Sequence, residues 1–540
     1  MHSQTVYCNA QVVTMDDRMS VAEAVRVADG RIEAVGGAAD LLAGAGPDAE
    51  RVDLRGAALL PGWIDSHSHI TLAKMFPDFS PPPVGDIDDI GKLLRAVQLA
   101  LDAERGQTGW FVGRGYDNAV FPRQAHPTRH DLDRLHTERP VCMLHASMHM
   151  CVLNSKGLAL AGITAGMPDP AGGVIGRSTD GEPNGILEEA AAMQVMAQPG
   201  FAPGAVALLD KFEQAQRYYA SFGITTAQDG AFEEPFLPLL RQLGRQGRML
   251  LDVCAYPMVT GDRKLLAGVD SRQTEYRDHF RIAGAKLILD GSPQAKTAWL
   301  TQPYFRPPDG QKEDYRGYPA IADDDVVCGY FRLCLQHSWQ ILVHCNGDAA
   351  ADQYLSQYAR ARRETGILTD LRPVMIHAQT LREDQLDRCA ALGVRPSFFH
   401  DHTYYWGDHH LTSSLGPARG RRISPLRAAL ARGLPFTLHQ DTPIVPPDML
   451  FTLHNAVNRV TRDGRPIGPE FAVGVADALR AVTRNAAAQY FEEDRKGSIE
   501  PGKLADLVVL DRNPLDTPKN ELKDIRVLQT IKQGRTIFRA

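Results

Sequence analysis

Pro61-Gly62-Trp63-Ile64-Asp65-Ser66-His67-Ser68-His69 is an apolar run that ends in two histidines one residue apart. Residues i and i+2 of a strand point to the same side, so His67 and His69 can present both imidazoles to one cation. An isolated pair of this kind is explained as well by two ordinary strand-end histidines, and the rest of the chain decides between the readings.

Seven further strand-like runs follow, at residues 224–229, 249–254, 285–290, 340–344, 374–377, 394–398 and 436–441. Amphipathic stretches, such as residues 208–222 and 324–338, separate them and read as helices. Eight strand-then-helix units predict an α/β chain with a TIM-type (β/α)8 barrel, whose site lies at the C-terminal ends of the strands. Short strands with turns fill residues 6–35, and the same texture returns at residues 505–531. A small β domain built from both termini is therefore expected, from residues 1–58 plus 495–540, around a barrel at 59–494. One interval breaks the rhythm. Residues from about 75 to 203 hold Pro81-Pro82-Pro83, the glycine-rich 109–116 and Ala171-Gly172-Gly173, which read as loops of an inserted subdomain after the first barrel strand.

Ligand-type residues fall where such a barrel needs them. His67 and His69 end the first run, Lys286 lies in the fourth, His344 and His377 close the fifth and sixth, and Asp441 closes the eighth. Four histidines and a carboxylate in one mouth suit a divalent metal, zinc in preference to manganese, iron, cobalt or nickel.

With these residues in view, the chain resembles the amidohydrolase superfamily and, within it, the YtcJ-like branch that includes N-substituted formamide deformylases. The matching segments are 62–69, 286–292, 343–349, Ile376-His377-Ala378-Gln379, Asp441-Thr442-Pro443 and 497–506, so the resemblance spans nearly the whole chain. It implies a β-sandwich formed by the two termini. It also implies that His67, His69 and Asp441 bind a buried metal, that His344 and His377 bind a second, and that Lys286 is N-carboxylated to bridge them. An unmodified lysine would leave a one-metal site, with Asp290 as the nearest alternative carboxylate. The implied activity is a metal-dependent hydrolase that cleaves a C–N bond of an amide, formamide, carbamate or cyclic amide by attack of metal-bound hydroxide, with Asp441 as the catalytic base. A decarboxylase or other lyase on the same barrel is the alternative, followed by a non-catalytic regulatory protein. Pro293-Gln294 after Ser292 departs from the commoner family wording, so no relative's substrate is carried over.

Substrate-contact candidates are His149, Asp290, Trp299 and His400, with His402 beside the last; a polar loop is the preferred explanation of the latter pair. Tyr116, Trp110 and Trp299 are candidates for an aromatic wall or for plain core, and Arg177, Arg421 and Arg459 for holding a substrate carboxylate. Asp348 reads as a ligand-orienting group or a helix cap. Cys345 should turn away from the site by strand alternation.

With 44% hydrophobic and 23% charged residues the chain can bury a substantial core, and a net charge of −6 without basic clusters argues against nucleic acid or an anionic membrane as partner. No apolar run reaches membrane-spanning length, and the start lacks a signal-peptide pattern, so a cytoplasmic protein is expected. Its 8 cysteines form no C-x-x-C and read as reduced thiols. The expected partner is a small-molecule substrate, with a homodimer left open.

Overall fold

The computed structural model describes residues 4–80, 87–122, 124–308 and 310–540. Pro81-Pro82-Pro83 lies outside them.

The parallel strands form two arcs. The first, of four strands, comprises β1 (Trp63–Ile64), β2 (Ile224–Gly230), β3 (Asp252–Tyr256) and β4 (Phe280–Ile282). The second, of five, comprises β5 (Ala285–Ile288), β6 (Ile341–Cys345), β7 (Val374–His377), β8 (Arg395–Phe398) and β9 (Thr437–Leu438). The fold is of TIM-barrel type, but its hydrogen-bonded ring is not closed. The fourth expected run, 285–290, is β5, and β4 is an additional short strand before it; between the two, Gly284 passes so close to the chain that a Cβ there would lie 2.4 Å from the Gln340 carbonyl oxygen. Among the described residues the arcs are joined by an isolated bridge, Met258 with Lys286. At the opposite seam, between β1 and β9, no ladder forms among the described residues.

Helices cover the arcs as the amphipathic stretches predict. Ala205–Ser221 precedes β2, and Asp324–Gln336 precedes β6, its first N–H groups accepted by the Asp323 carboxylate. Asp348–Thr365 follows β6 and ends at Gly366 in the left-handed region.

The run before the histidines divides at Gly62. Ala58–Pro61 joins a six-stranded sheet, pairing antiparallel with Leu507–Leu510, and only Trp63–Ile64 enters the arc. A Cβ on Gly62 would meet the Thr225 side chain at 2.4 Å, so glycine makes the crossing feasible. Tyr7, Val25 and Ile32 of a second, four-stranded sheet share a core with Leu59, Val509 and Ile531 of the first.

Between β1 and β2 the inserted residues build a five-stranded sheet of their own. The glycine-rich segment expected as a loop is in fact the buried strand Phe111–Tyr116. Its glycines mark close packing rather than turns: a Cβ at Gly113 would lie 2.6 Å from Phe79, and one at Gly115 would collide with Ser80. Gly173 likewise opens the strand Gly173–Arg177. No helix of the described residues is long and apolar enough to cross a membrane.

Candidate metal centre

Strands β5, β6 and β7 and the residues just past β1 and β9 bring His67, His69, Lys286, His344, His377 and Asp441 to one place. The donor atoms of His67, His377 and Asp441 all lie within 4.8 Å of one another. Asp441 Oδ1 is 3.3 Å from Nε2 of both His67 and His69, and Lys286 Nζ is 3.2 Å from His67 Nε2. The His344 and His377 rings are 4.4 Å apart, edge to face. His377 and Asp441 both sit at positive φ, 74° and 55°, a conformation that non-glycine residues adopt rarely.

Tautomers follow from hydrogen-bond accounting. Gln228 donates both amide hydrogens, to the Ser66 carbonyl at 2.7 Å and to the Tyr490 hydroxyl at 2.8 Å, the latter giving its own proton to the Asp65 carbonyl. Gln228 Oε1 can then only accept, and it takes the Nδ1–H of His67 at 2.5 Å. The Gly230 carbonyl takes the Nδ1–H of His69, also at 2.5 Å. Both histidines thus aim an Nε2 lone pair at Asp441 Oδ1, which is buried and has no hydrogen-bond partner. Lys286 Nζ can donate to His67 Nε2, but no hydrogen lies between either Nε2 and Asp441 Oδ1, so these acceptors repel unless a cation lies among them. Their 3.3 Å spacing matches the edge of a tetrahedron with metal–ligand bonds of about 2.0–2.1 Å. The donor set therefore fits a divalent ion. Gly230 also leaves room for both rings, since a Cβ would lie 2.7 Å from His67 Cε1 and 3.2 Å from His69 Cε1.

Burial pushes His67, His344, His377 and His439 well below the ordinary histidine pKa, keeping their imidazoles neutral. Lys286 is pushed down to about 7 by burial, against the pull of Asp441. Asp290 is pushed up to about 7 by burial, although its carboxylate accepts the N–H groups of Asn346, Gly347 and Trp299. It lies 3.5 Å from His344 Nδ1, which has no hydrogen-bond partner of its own.

Other candidates are sorted by place. His149 comes from the insertion to lie 4.8 Å from the His344 ring, tilted at 52° to it, and its Nδ1 meets Glu189 at 2.8 Å. Burial lowers its pKa, but Glu189 outweighs this and the net shift is upward. Ser292 and Gln294, in the segment with the unusual wording, line a small cleft with His344, His377 and Asp441. His402 lines that cleft, whereas His400 is turned to the Asn455 carbonyl. Trp299 contributes its backbone N–H to Asp290 while its ring packs on the main core, because the chain bends there to let Gly347 pass. Tyr116 and Trp110 pack inside the insertion. Asp348 accepts from Thr301 and Arg382. Cys345 is buried in the core, turned from the site. Arg177 and Arg421 are paired with Asp169 and Glu470, and Arg459 donates to the carbonyls of Ile467, Ser424 and Ile423.

Three participants escaped the sequence reading. His439 lies two residues before Asp441, the same spacing as His67 and His69, and that signal was available. Gln228 and Glu189 lie 161 and 40 residues from the histidines they touch, and no local pattern points to them.

The model of the amidohydrolase family matches residues 50–538. The chain belongs to the amidohydrolase family. It is 30% identical to an N-substituted formamide deformylase of Arthrobacter pascens, over 97% of this chain and 96% of that protein. Identity to the putative amidohydrolase YtcJ of Bacillus subtilis is 25%, over 98% of each. Among solved structures, an uncharacterized metal-dependent hydrolase from Pyrococcus horikoshii superposes with a TM-score of 0.74 at 23% identity, covering 96% of this amidohydrolase chain and 99% of its own. That likeness extends the shared fold across almost the full length.

Proposed function

We propose that this chain is a metal-dependent amidohydrolase that cleaves the C–N bond of a small, uncharged N-substituted amide, formamide or carbamate. The observation that carries this reading is the meeting of two Nε2 lone pairs with Asp441 Oδ1 at 3.3 Å. His67, His69 and Asp441 would hold one divalent ion, zinc by donor chemistry, and His344 with His377 a second. Such ions supply Lewis acidity toward the scissile carbonyl and lower the pKa of water to about 7.

The protein's own groups do the rest. Lys286, with its pKa near 7, holds a share of neutral amine at neutral pH, and neutral amine is the form that adds carbon dioxide to give a carbamate and a proton. That carbamate would supply the anionic bridge that an ammonium cannot. Gln228 and Gly230 hold the two imidazoles in register. Asp441 is placed to take a proton from the attacking water and return it to the leaving nitrogen. His149, oriented by Glu189, reaches in from the insertion to the substrate's polar end.

The adjoining chamber, roughly 200 Å³, supports the substrate class. Met75, Phe76, Met148, Met196, Phe201 and Ile444 line it, and among the described residues its walls hold no arginine and no lysine but Lys286. An apolar substituent fits such walls.

Metal analysis of the purified protein, followed by a screen of N-formyl, N-acyl, carbamate and cyclic amides, tests the proposal. The expected result is amine release that chelation abolishes and zinc restores, with neutral apolar amides preferred. Carbon dioxide as the primary product would favour the lyase, and hydrolysis indifferent to chelation would overturn the scheme.

A further inference from the structure

His67 and His69 each give their Nδ1–H to an oxygen, but Nδ1 of His377 faces another histidine, Nε2 of His439 at 3.1 Å. A neutral imidazole can donate or accept, so this contact alone does not say which nitrogen of His377 is left free. The contacts behind it do. Nδ1 of His439 lies 2.8 Å from Ser397 Oγ, Ser397 Oγ lies 3.3 Å from Ser66 Oγ, and Ser66 Oγ lies 3.0 Å from the Leu438 carbonyl oxygen. All four side chains are buried.

Counting hydrogens from the far end gives one solution that uses every contact. A carbonyl only accepts, so the single proton of Ser66 goes to Leu438. Ser397 must then donate to Ser66, which obliges it to accept from Nδ1–H of His439. His439 Nε2 is therefore a lone pair and accepts the Nδ1–H of His377. The Nε2 of His377 is left unprotonated, matching His67 and His69. In the opposite polarity Ser397 donates to His439, two serine oxygens face each other with no hydrogen between them, and His377 carries its proton on Nε2.

We infer that Ser66, Ser397 and His439 form a relay that sets the tautomer of His377 and so makes it a metal ligand. This rests on the metal-centre reading proposed above. The relay runs across the seam where no backbone ladder joins β1 to β9, so side chains of β8 and of the residues just past β1 and β9 close the ring there. His439 and the two serines are positioning residues, since none has a place at the reacting atoms. A histidine rather than a carbonyl behind His377 makes that ligand dependent on a hydroxyl two contacts away.

Ser66→Ala is the decisive variant, because Ser66 touches neither His439 nor His377. Removing its oxygen lets Ser397 turn its proton to His439, which reverses the relay. Full-length protein with ¹⁵N-labelled histidine, stripped of metal, reports the imidazole tautomers by long-range ¹⁵N–¹H correlation, with His377→Gln assigning the signal. In the wild type His377 should carry its proton on Nδ1, and in Ser66→Ala on Nε2. Zinc titration should show the second site weakened by about 10- to 100-fold in Ser66→Ala and in Ser397→Ala, the usual cost of losing a partner behind a ligand. An unchanged melting temperature of the metal-free protein would separate this from misfolding. Nε2–H on His377 in the wild type, or zinc binding in Ser66→Ala equal to wild type, would overturn the relay. Failure of the wild type to take up zinc, with His377 still protonated on Nδ1, would instead support the relay and remove the metal-centre reading.

Discussion

Lys286 and Lys496 are buried to the same depth, 1% and 3% exposed, yet their charges are handled in opposite ways. Burial disfavours the ammonium in both. Around Lys496 the penalty is more than offset by Asp252 at 2.7 Å and Glu492 at 2.6 Å, and the pKa is raised. Lys532 and Arg281 join the same carboxylates, and Asp506 pairs with Lys532, so the cluster is charge-balanced. Among the described residues Lys286 has no carboxylate within ion-pair distance, only a neutral imidazole at 3.2 Å, and its pKa falls to about 7. The Lys496 cluster ties β3 and β4 to the C-terminal strand Val527–Lys532 with its charges cancelled, whereas the Lys286 cluster leaves acceptors facing one another. Balanced charge goes with architecture, and unbalanced lone pairs go with chemistry.

Substitutions in each region can break that contrast. The largest effect is expected for Asp441→Asn, which should lower kcat by about 10²- to 10⁴-fold while the melting temperature stays within a few degrees of wild type. Near-normal turnover would remove Asp441 from the reaction. Lys496→Met should do the reverse, destabilising the chain by about 3–5 kcal/mol in urea titrations by stranding buried carboxylates, with turnover per folded molecule retained. Lys286→Met should leave the metal-free protein at least as stable as wild type, since it removes a buried polar group that no carboxylate pairs; a large loss of stability would place Lys286 with Lys496 as a structural cation.

Acid titration sharpens the same point. Burial opposes ionisation of Asp252 and Glu492, but Lys496, with Lys532 and Arg281, outweighs it, so both pKa values lie below the ordinary range. A depressed carboxylate contributes stability that is present above its unfolded pKa, about 4, and is lost as pH falls through the folded value. The wild type's margin over Lys496→Met should therefore shrink as pH drops below about 4, read by urea midpoints at each pH. The smallest effect is expected at the surface. Arg421→Ala breaks a half-exposed pair with Glu470 and should change stability by no more than about 0.5 kcal/mol, with KM unaltered.

Much of the candidate site was legible in the sequence because its histidines and Asp441 end strand runs, with Lys286 inside another, and strand ends of this fold converge whatever lies between them. His67 with His69 was readable from the two-residue period once the ligand types further along the chain were counted with it. His439 with Asp441 has that period too, but a histidine two residues before a carboxylate draws less notice than a pair of histidines. What stayed hidden is set by tertiary contact. The Gly230 carbonyl has no side chain to flag it, and Gln228 meets His67 only because β2 lies beside β1. Phe111–Tyr116 was misjudged because glycine is equally apt for a turn and for a strand pressed by Phe79 and Ser80. The open ring was illegible for a similar reason, since whether adjacent strands form a ladder depends on close approaches such as that at Gly284.

The pairing of Ala58–Pro61 with Leu507–Leu510 joins the beginning of the chain to its end. During synthesis, the strand that leads into His67 and His69 leaves the ribosome early, but the sheet that anchors it across Gly62 lacks its Leu507–Leu510 neighbour until residue 510 has been made. The candidate metal centre is thus among the last parts of the molecule that can be completed, and a chain cut short before that strand would expose the edge of Ala58–Pro61 just where its first two histidines need to be held.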